Sequence, residues 1–117
     1  MAHGHAWPSQ EVMNSKILIM GHEHPALSFR DRVDKLHSEP CWLRAPMIEH
    51  ERYEKVPEQL IIMPAFGELA GRTMNREPLK GLGPVLRNGL ANLSKARVET
   101  LEGLEFGELG NLIDLRL

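Results

Sequence analysis

The fold turns on Lys16-Ile17-Leu18-Ile19-Met20-Gly21-His22-Glu23-His24-Pro25, KILIMGHEHP. Four apolar residues in a row, Ile17 to Met20, read as a short strand buried on both faces. Gly21 allows a sharp turn where that strand ends, and Pro25 bars a helix from running through the second histidine. His22 and His24 therefore sit on a loop at the mouth of a buried strand, where α/β proteins commonly carry chemistry. Gln59-Leu60-Ile61-Ile62-Met63-Pro64 is a second run of the same build. Its adjacent isoleucines and closing proline favour strand over helix.

On the N-terminal side, Pro8-Ser9 precedes a short helix. Ser9 is a suitable N-cap, and Glu11 puts an acid in the first turn, where the helix dipole favours it. The helix should end near Asn14-Ser15. On the C-terminal side, residues 26–39 begin extended and pass into a charge-rich turn in which His37 reads as solvent-facing. Residues 40–44 form a short strand. Residues 46–57, with His50 among Glu49, Glu51, Arg52, Glu54 and Lys55, read as a solvated loop or a strand edge.

Residues 64–95 contain Gly67, Gly71, Pro78, Gly81, Gly83, Pro84 and Gly89, which leave room for little beyond a turn of helix near residues 85–88. A loop of that length is unusual inside a compact domain. Its 66–75 segment reads either as the border of a site or as a surface excursion. Residues 96–101 and 112–117 alternate apolar and polar, as half-exposed antiparallel strands do, with turn-rich 103–110 between them. The total is one helix and five or six short strands. One short helix cannot cover both faces of two apolar strands. The chain, residues 1–117, therefore reads as a single β-rich α/β partial domain belonging to a larger layered fold.

A chain of 117 residues supports one modest core, burying roughly 60–70% of its unfolded surface. Fourteen basic and sixteen acidic residues give a net charge of −2. That argues against a dedicated nucleic-acid-binding module, which would carry a basic stripe. Cys41 is the single cysteine and forms no intrachain disulfide, which fits a reducing compartment. No apolar run approaches the roughly 20 residues of a membrane span, and no signal-peptide pattern opens the chain. The cytoplasm is the expected address.

Neutral imidazole is a common ligand for zinc, manganese and iron. In an extended segment residues i and i+2 share a side, so His22 and His24 would face one pocket while Glu23 points elsewhere. His3 and His5 repeat the spacing within the first five residues. A complete site needs more donors: about four for zinc, about six for manganese, carboxylates usually among them.

Gly21-His22-Glu23-His24-Pro25 after an apolar strand looks like the last signature, Gly-His-x-His, of the calcineurin-like metallophosphoesterases. His3-Gly4-His5 looks like the penultimate one. The longer match, HGHAWP, then ILIMGHEHPAL, then LIIMPAF with a following Gly, resembles the small phosphoesterases related to the SbcD-type repair nuclease. The resemblance is most specific over residues 3–27 and 59–67. It implies the C-terminal half of a four-layer α/β/β/α sandwich and a hydrolase that works with two divalent metal ions, manganese or zinc. Carried over by position, His3 and His22 would bind the second metal and His24 the first. His5 would stand in the second shell, orienting a ligand. The substrate would be a phosphate mono- or diester, with nucleic acid among the candidates.

The family's earlier signatures, Asp-x-His, Gly-Asp and Gly-Asn-His followed by an acid, do not occur in these 117 residues, and Gly110-Asn111 is followed by Leu112. The bridging carboxylate and the phosphate-side histidine are missing, so the metal site is incomplete and no catalytic residue is assigned in this chain. A separate N-terminal half would have to supply the Asp, Asn and His ligands. The competing reading is a non-catalytic β-rich interaction module whose sheet pairs with a partner chain.

Overall fold

The computed structural model describes residues 6–64 and 71–117. It is a strand-rich mixed α/β fold. The elements run α1 (Gln10–Met13), β1 (Ile17–Met20), β2 (Pro25–Arg30), β3 (Leu36–Pro46), β4 (Gln59–Ile62), β5 (Arg72–Thr73), α2 (Pro84–Arg87), β6 (Arg97–Thr100) and β7 (Glu105–Glu108). Short 3-10 turns cover Leu93–Lys95 and Leu109–Asn111. The strands form one mixed sheet ordered β1-β4-β3-β2-β5, with β6 pairing β3 and β7 pairing β6. β1 and β4 are parallel; β3 is antiparallel to β2, β4 and β6.

The expected α1 is present, with the Ser9 hydroxyl accepting from the Val12 amide at 3.3 Å. Ahead of it, Trp7 and Pro8 are docked rather than frayed. The Arg52 guanidinium lies 4.3 Å from the Trp7 ring centroid, His50 and Tyr53 flank that ring, and the Tyr53 hydroxyl donates to the Pro8 carbonyl at 2.6 Å. His50 is thus part of a small aromatic cluster, not a freely solvated loop residue.

β3 is the hub. Its first half pairs with β2 through residues 36–40, and its second half with β4 and β6 through residues 41–46. Pro40, which has no amide hydrogen, falls where the strand changes partners, the position at which a missing ladder donor is best tolerated. Cys41, Leu43 and Ala45 alternate inward with Leu18, Met20, Leu60, Ile62 and Val98, and this face forms one core with Met13, Val85, Leu86, Leu90, Leu93, Leu109 and Leu112. The opposite face carries Ile17, Ile19, Trp42 and Ile61. Ile17 is 48% exposed and the other three are only partly buried. Among the described residues β1 and β4 are therefore fully buried on one face and only partly on the other, not on both as their apolar runs predict.

Three further readings change. His37 is on β3, not in the turn: its ring stacks on Phe29 directly across the ladder, 5.1 Å between centroids, and its Nε2 meets Asp31 Oδ2 at 2.7 Å. Residues 105–108, read as turn, form β7, because Gly103 and Gly107 adopt φ of 89° and 85° at a hairpin turn and opposite a register shift. Residues 112–117, read as a strand, make among the described residues a single bridge, Arg30 to Arg116, and Asp114 at φ 54° interrupts the extension. Two residues of the glycine-rich stretch form β5, which no alternation announced.

The outer edge of β2 is sealed in sequence. The Arg72 amide donates to the His24 carbonyl and the Met74 amide to the Ala26 carbonyl. Asn75, 4% exposed, then stands in for a strand: its Oδ1 accepts from the Ser28 amide at 2.9 Å, and its Nδ2 donates to the Ser28 and Leu112 carbonyls, both at 2.7 Å. Finally Arg30 exchanges bonds with the Leu115 carbonyl and the Leu117 amide. Covering an edge in this way removes a template for association.

Asn75→Ala would orphan the Ser28 and Leu112 groups together. The expected loss is about 2–4 kcal/mol, from unsatisfied buried groups at roughly 1–3 kcal/mol each, read from the urea midpoint with an unchanged slope. Cys41 gives a second test. Burial pushes its thiol from 9.0 up to about 12, so it should resist a thiol reagent at pH 8 until the protein unfolds. Because the folded value is raised, stability should also fall as pH rises above 9.0, where only the unfolded chain's thiol ionises readily.

Candidate metal centre at the GHEHP loop

β1 and β4 run side by side in register from Ile17–Gln59 to Met20–Ile62, and the Met63 amide extends the ladder to the Met20 carbonyl at 2.9 Å. Gly21 to His24 leave from the carboxyl end of this parallel pair, the end at which open α/β sheets place ligands. The sequence expectation that His22 and His24 lie on a loop at a strand end is met. The expectation that the loop is extended is not. His22 has φ 74° and His24 φ 48°, both left-handed, so strand alternation no longer fixes where the two rings point. Pro25 opens β2, as its barrier to a helix suggested.

Glu23 does point elsewhere: into the protein. It is fully buried, with 0% exposure. Its Oε1 accepts from the Leu82 amide at 2.6 Å and from Arg72 Nη2 at 3.1 Å, and its Oε2 accepts from the Gly83 amide at 2.8 Å. Arg72 Nη2 also donates to the Lys80 carbonyl at 3.2 Å, while Arg72 Nε is buried with no hydrogen-bond partner among the described residues. The carboxylate thus ties the loop to the segment just before α2, 59 and 60 residues along the chain.

The energies are consistent with that arrangement. A non-glycine residue held in the left-handed region costs about 1–3 kcal/mol, so His22 and His24 together oppose folding by roughly 2–6 kcal/mol. Removing one partner of a buried charge pair costs about 3–5 kcal/mol, so losing Glu23 would add a penalty comparable in size to that strain.

Two glycines make the approach possible. A Cβ on Gly81 would overlap Leu86 and stand 2.9 Å from Glu23 Oε1. A Cβ on Gly71 would stand 2.7 Å from the Ala26 Cβ and 3.0 Å from the His24 carbonyl oxygen. Of the sequence's candidate ligands, His22 and His24 fall on one loop two residues apart, and both are half-buried. His3 and His5 lie outside the described residues, as does the 66–70 part of the segment expected to border a site. Residues 71–75 do border the loop, through β5.

Among the described residues no group of three or more His, Cys, Asp and Glu is placed to hold a metal. Two imidazoles are donors of the right kind for zinc or manganese, but they are an incomplete set. A broad cleft of about 1060 Å³ opens beside Ser28, Arg30, Asn75 and Arg116 at the other end of β2 and includes neither histidine. The residues that sequence reasoning missed are Glu23, Arg72 and Gly81. Their partnership spans 49 residues or more, so no local spacing could signal it.

Gly81→Ala and Gly71→Ala should each cost about 1–3 kcal/mol by overpacking, measured by urea unfolding. Gly103→Ala, where nothing lies within 4 Å but φ is positive, separates backbone strain from crowding.

No family model, no curated protein and no solved structure matches this chain.

Proposed function

We propose that this chain is the C-terminal part of a metal-dependent phosphoesterase, a hydrolase of phosphate mono- or diesters, in which His22 and His24 are metal ligands. The observation that carries the reading is the GHEHP loop itself: two histidines, two residues apart, constrained in left-handed conformations at the carboxyl end of a parallel strand pair. Non-glycine residues held this way cluster at functional sites. The half-covered sheet agrees with it. Ile17, Ile19, Trp42 and Ile61 line an apolar face that is exposed or only partly buried, in keeping with a sheet that packs against a further layer.

In this reading His3 joins His22 on one ion, His24 serves the other, and His5 stands behind a ligand. The bridging carboxylate, the asparagine and the remaining histidine come from a segment outside these 117 residues. Divalent metal ions held by these donors would supply an activated water and charge stabilisation for the phosphate oxygens. The part of this chain is to hold donors rigidly at the strand ends.

The only partly buried apolar face also supports a second reading, a β-rich interaction module that docks a partner sheet without metal. Reconstitution distinguishes the two. Translated in all frames, the sequence upstream of Met1 should encode Asp-x-His, Gly-Asp and Gly-Asn-His in that order. The chain alone should bind Mn²⁺ or Zn²⁺ weakly and show no phosphodiesterase turnover. Combined with the N-terminal half, it should hydrolyse a phosphodiester reporter. His22→Ala, His24→Ala and His3→Ala should each lower activity at limiting metal by at least roughly 10–100-fold. His37→Ala and His50→Ala should lower stability only, since their contacts are Asp31, Phe29 and Trp7. Silent His22 and His24 variants would leave the interaction module as the better account.

A further inference from the structure

We infer that Glu23 is the positioning residue of this loop: it sets the backbone conformation in which His22 and His24 are presented, and through it their capacity to take a metal. The inference deepens the reading above and rests on it for the metal, though not for the conformation. Glu23 lies between the two strained residues, φ 74° before it and φ 48° after it. Its side chain is the one charged group of the described residues that is fully buried. All three of its hydrogen-bond donors come from outside the loop, two of them backbone amides that cannot swing away with a rotamer. Arg72 is held in turn by the Lys80 carbonyl, and its own amide bonds the His24 carbonyl at 2.7 Å. The loop is therefore fixed at Glu23 and again at His24, both times from the 72–83 segment.

A carboxylate suits this position because it offers only acceptors, and each of the groups facing it is a donor. Glutamine has the same shape but turns an NH₂ towards a donor, and it leaves the Arg72 charge uncompensated. Released from the anchor, His22 and His24 would relax out of the left-handed region. The histidines would remain, and their shared geometry would be lost.

The experiment compares the 117-residue chain, Glu23→Gln, Arg72→Met and the His22→Ala/His24→Ala double variant. NMR measures the intraresidue amide-to-Hα distances of residues 22 and 24, which are short only in the left-handed region. Zn²⁺ titration measures affinity. In Glu23→Gln both distances should lengthen and Zn²⁺ affinity should fall by roughly 10–100-fold, the size of an outer-shell loss. Arg72→Met, which keeps both amide bonds, should give a smaller change in the same direction. Unchanged distances in a folded Glu23→Gln overturn the inference, whatever the metal does. If the wild-type chain binds Zn²⁺ no better than the double histidine variant, the metal reading fails, and the distances alone still decide the role of Glu23. Should Glu23→Gln not fold, Arg72→Met decides: no change in distances or affinity overturns the proposal.

Discussion

A carboxylate cut off from water must be surrounded by donors, and the donors around Glu23 are drawn from chain far from it. The Leu82 and Gly83 amides and the Arg72 guanidinium close on one buried group. That contact joins the loop after β1 to the segment leading into α2, and it lies against Gly81, where no side chain fits. Because a buried charge without partners is far costlier than a buried apolar group, these segments cannot separate independently. Residues 71–83 of the glycine-rich stretch are placed by what they must supply: amides for Glu23, a short strand for β2, and Asn75 for the end of that strand.

The sheet shows the same economy at its edges. β2 is closed along its outer side by β5, then by a side-chain amide, then by the C-terminal residues. Asn75 can replace a strand residue because its amide presents one acceptor and two donors, the groups that an edge backbone needs. At the other end of the sheet, β1 pairs among the described residues only with β4. The face formed by Ile17, Ile19, Trp42 and Ile61 is apolar and incompletely covered, beside Arg44, Arg97 and Glu99. An apolar patch rimmed by charge is how surfaces that meet another protein layer are built.

Local electrostatics do different work elsewhere. In the β2–β3 turn, the Asp31 carboxylate accepts from the Val33 and Lys35 amides and meets His37 at 2.7 Å. His37 and those amides hold its carboxyl below the ordinary range. The pair fixes the hairpin turn and, through the stacked Phe29, its register. It lies at the end of β2 opposite to GHEHP, and its histidine serves structure rather than the candidate site.

By itself the sequence determined the local grammar: the Ser9-capped helix, strands within 16–20, 59–64 and 96–101, the helical turn near 85–88, and two histidines on a loop at a strand end. Each follows from a short-range cause such as an apolar run, a cap, a glycine or a proline. What only the tertiary structure decided depends on pairings across long separations. Ile17-Leu18-Ile19-Met20 has the same composition whether one face or two are buried, and only the packed sheet shows Leu18 and Met20 fully buried with Ile17 and Ile19 less so. Glu23 reads as a charged loop residue until donors 49 to 60 residues away are brought to it. His22 and His24 follow from that: their spacing suggested one extended face, and the buried carboxylate between them turns both into the left-handed region.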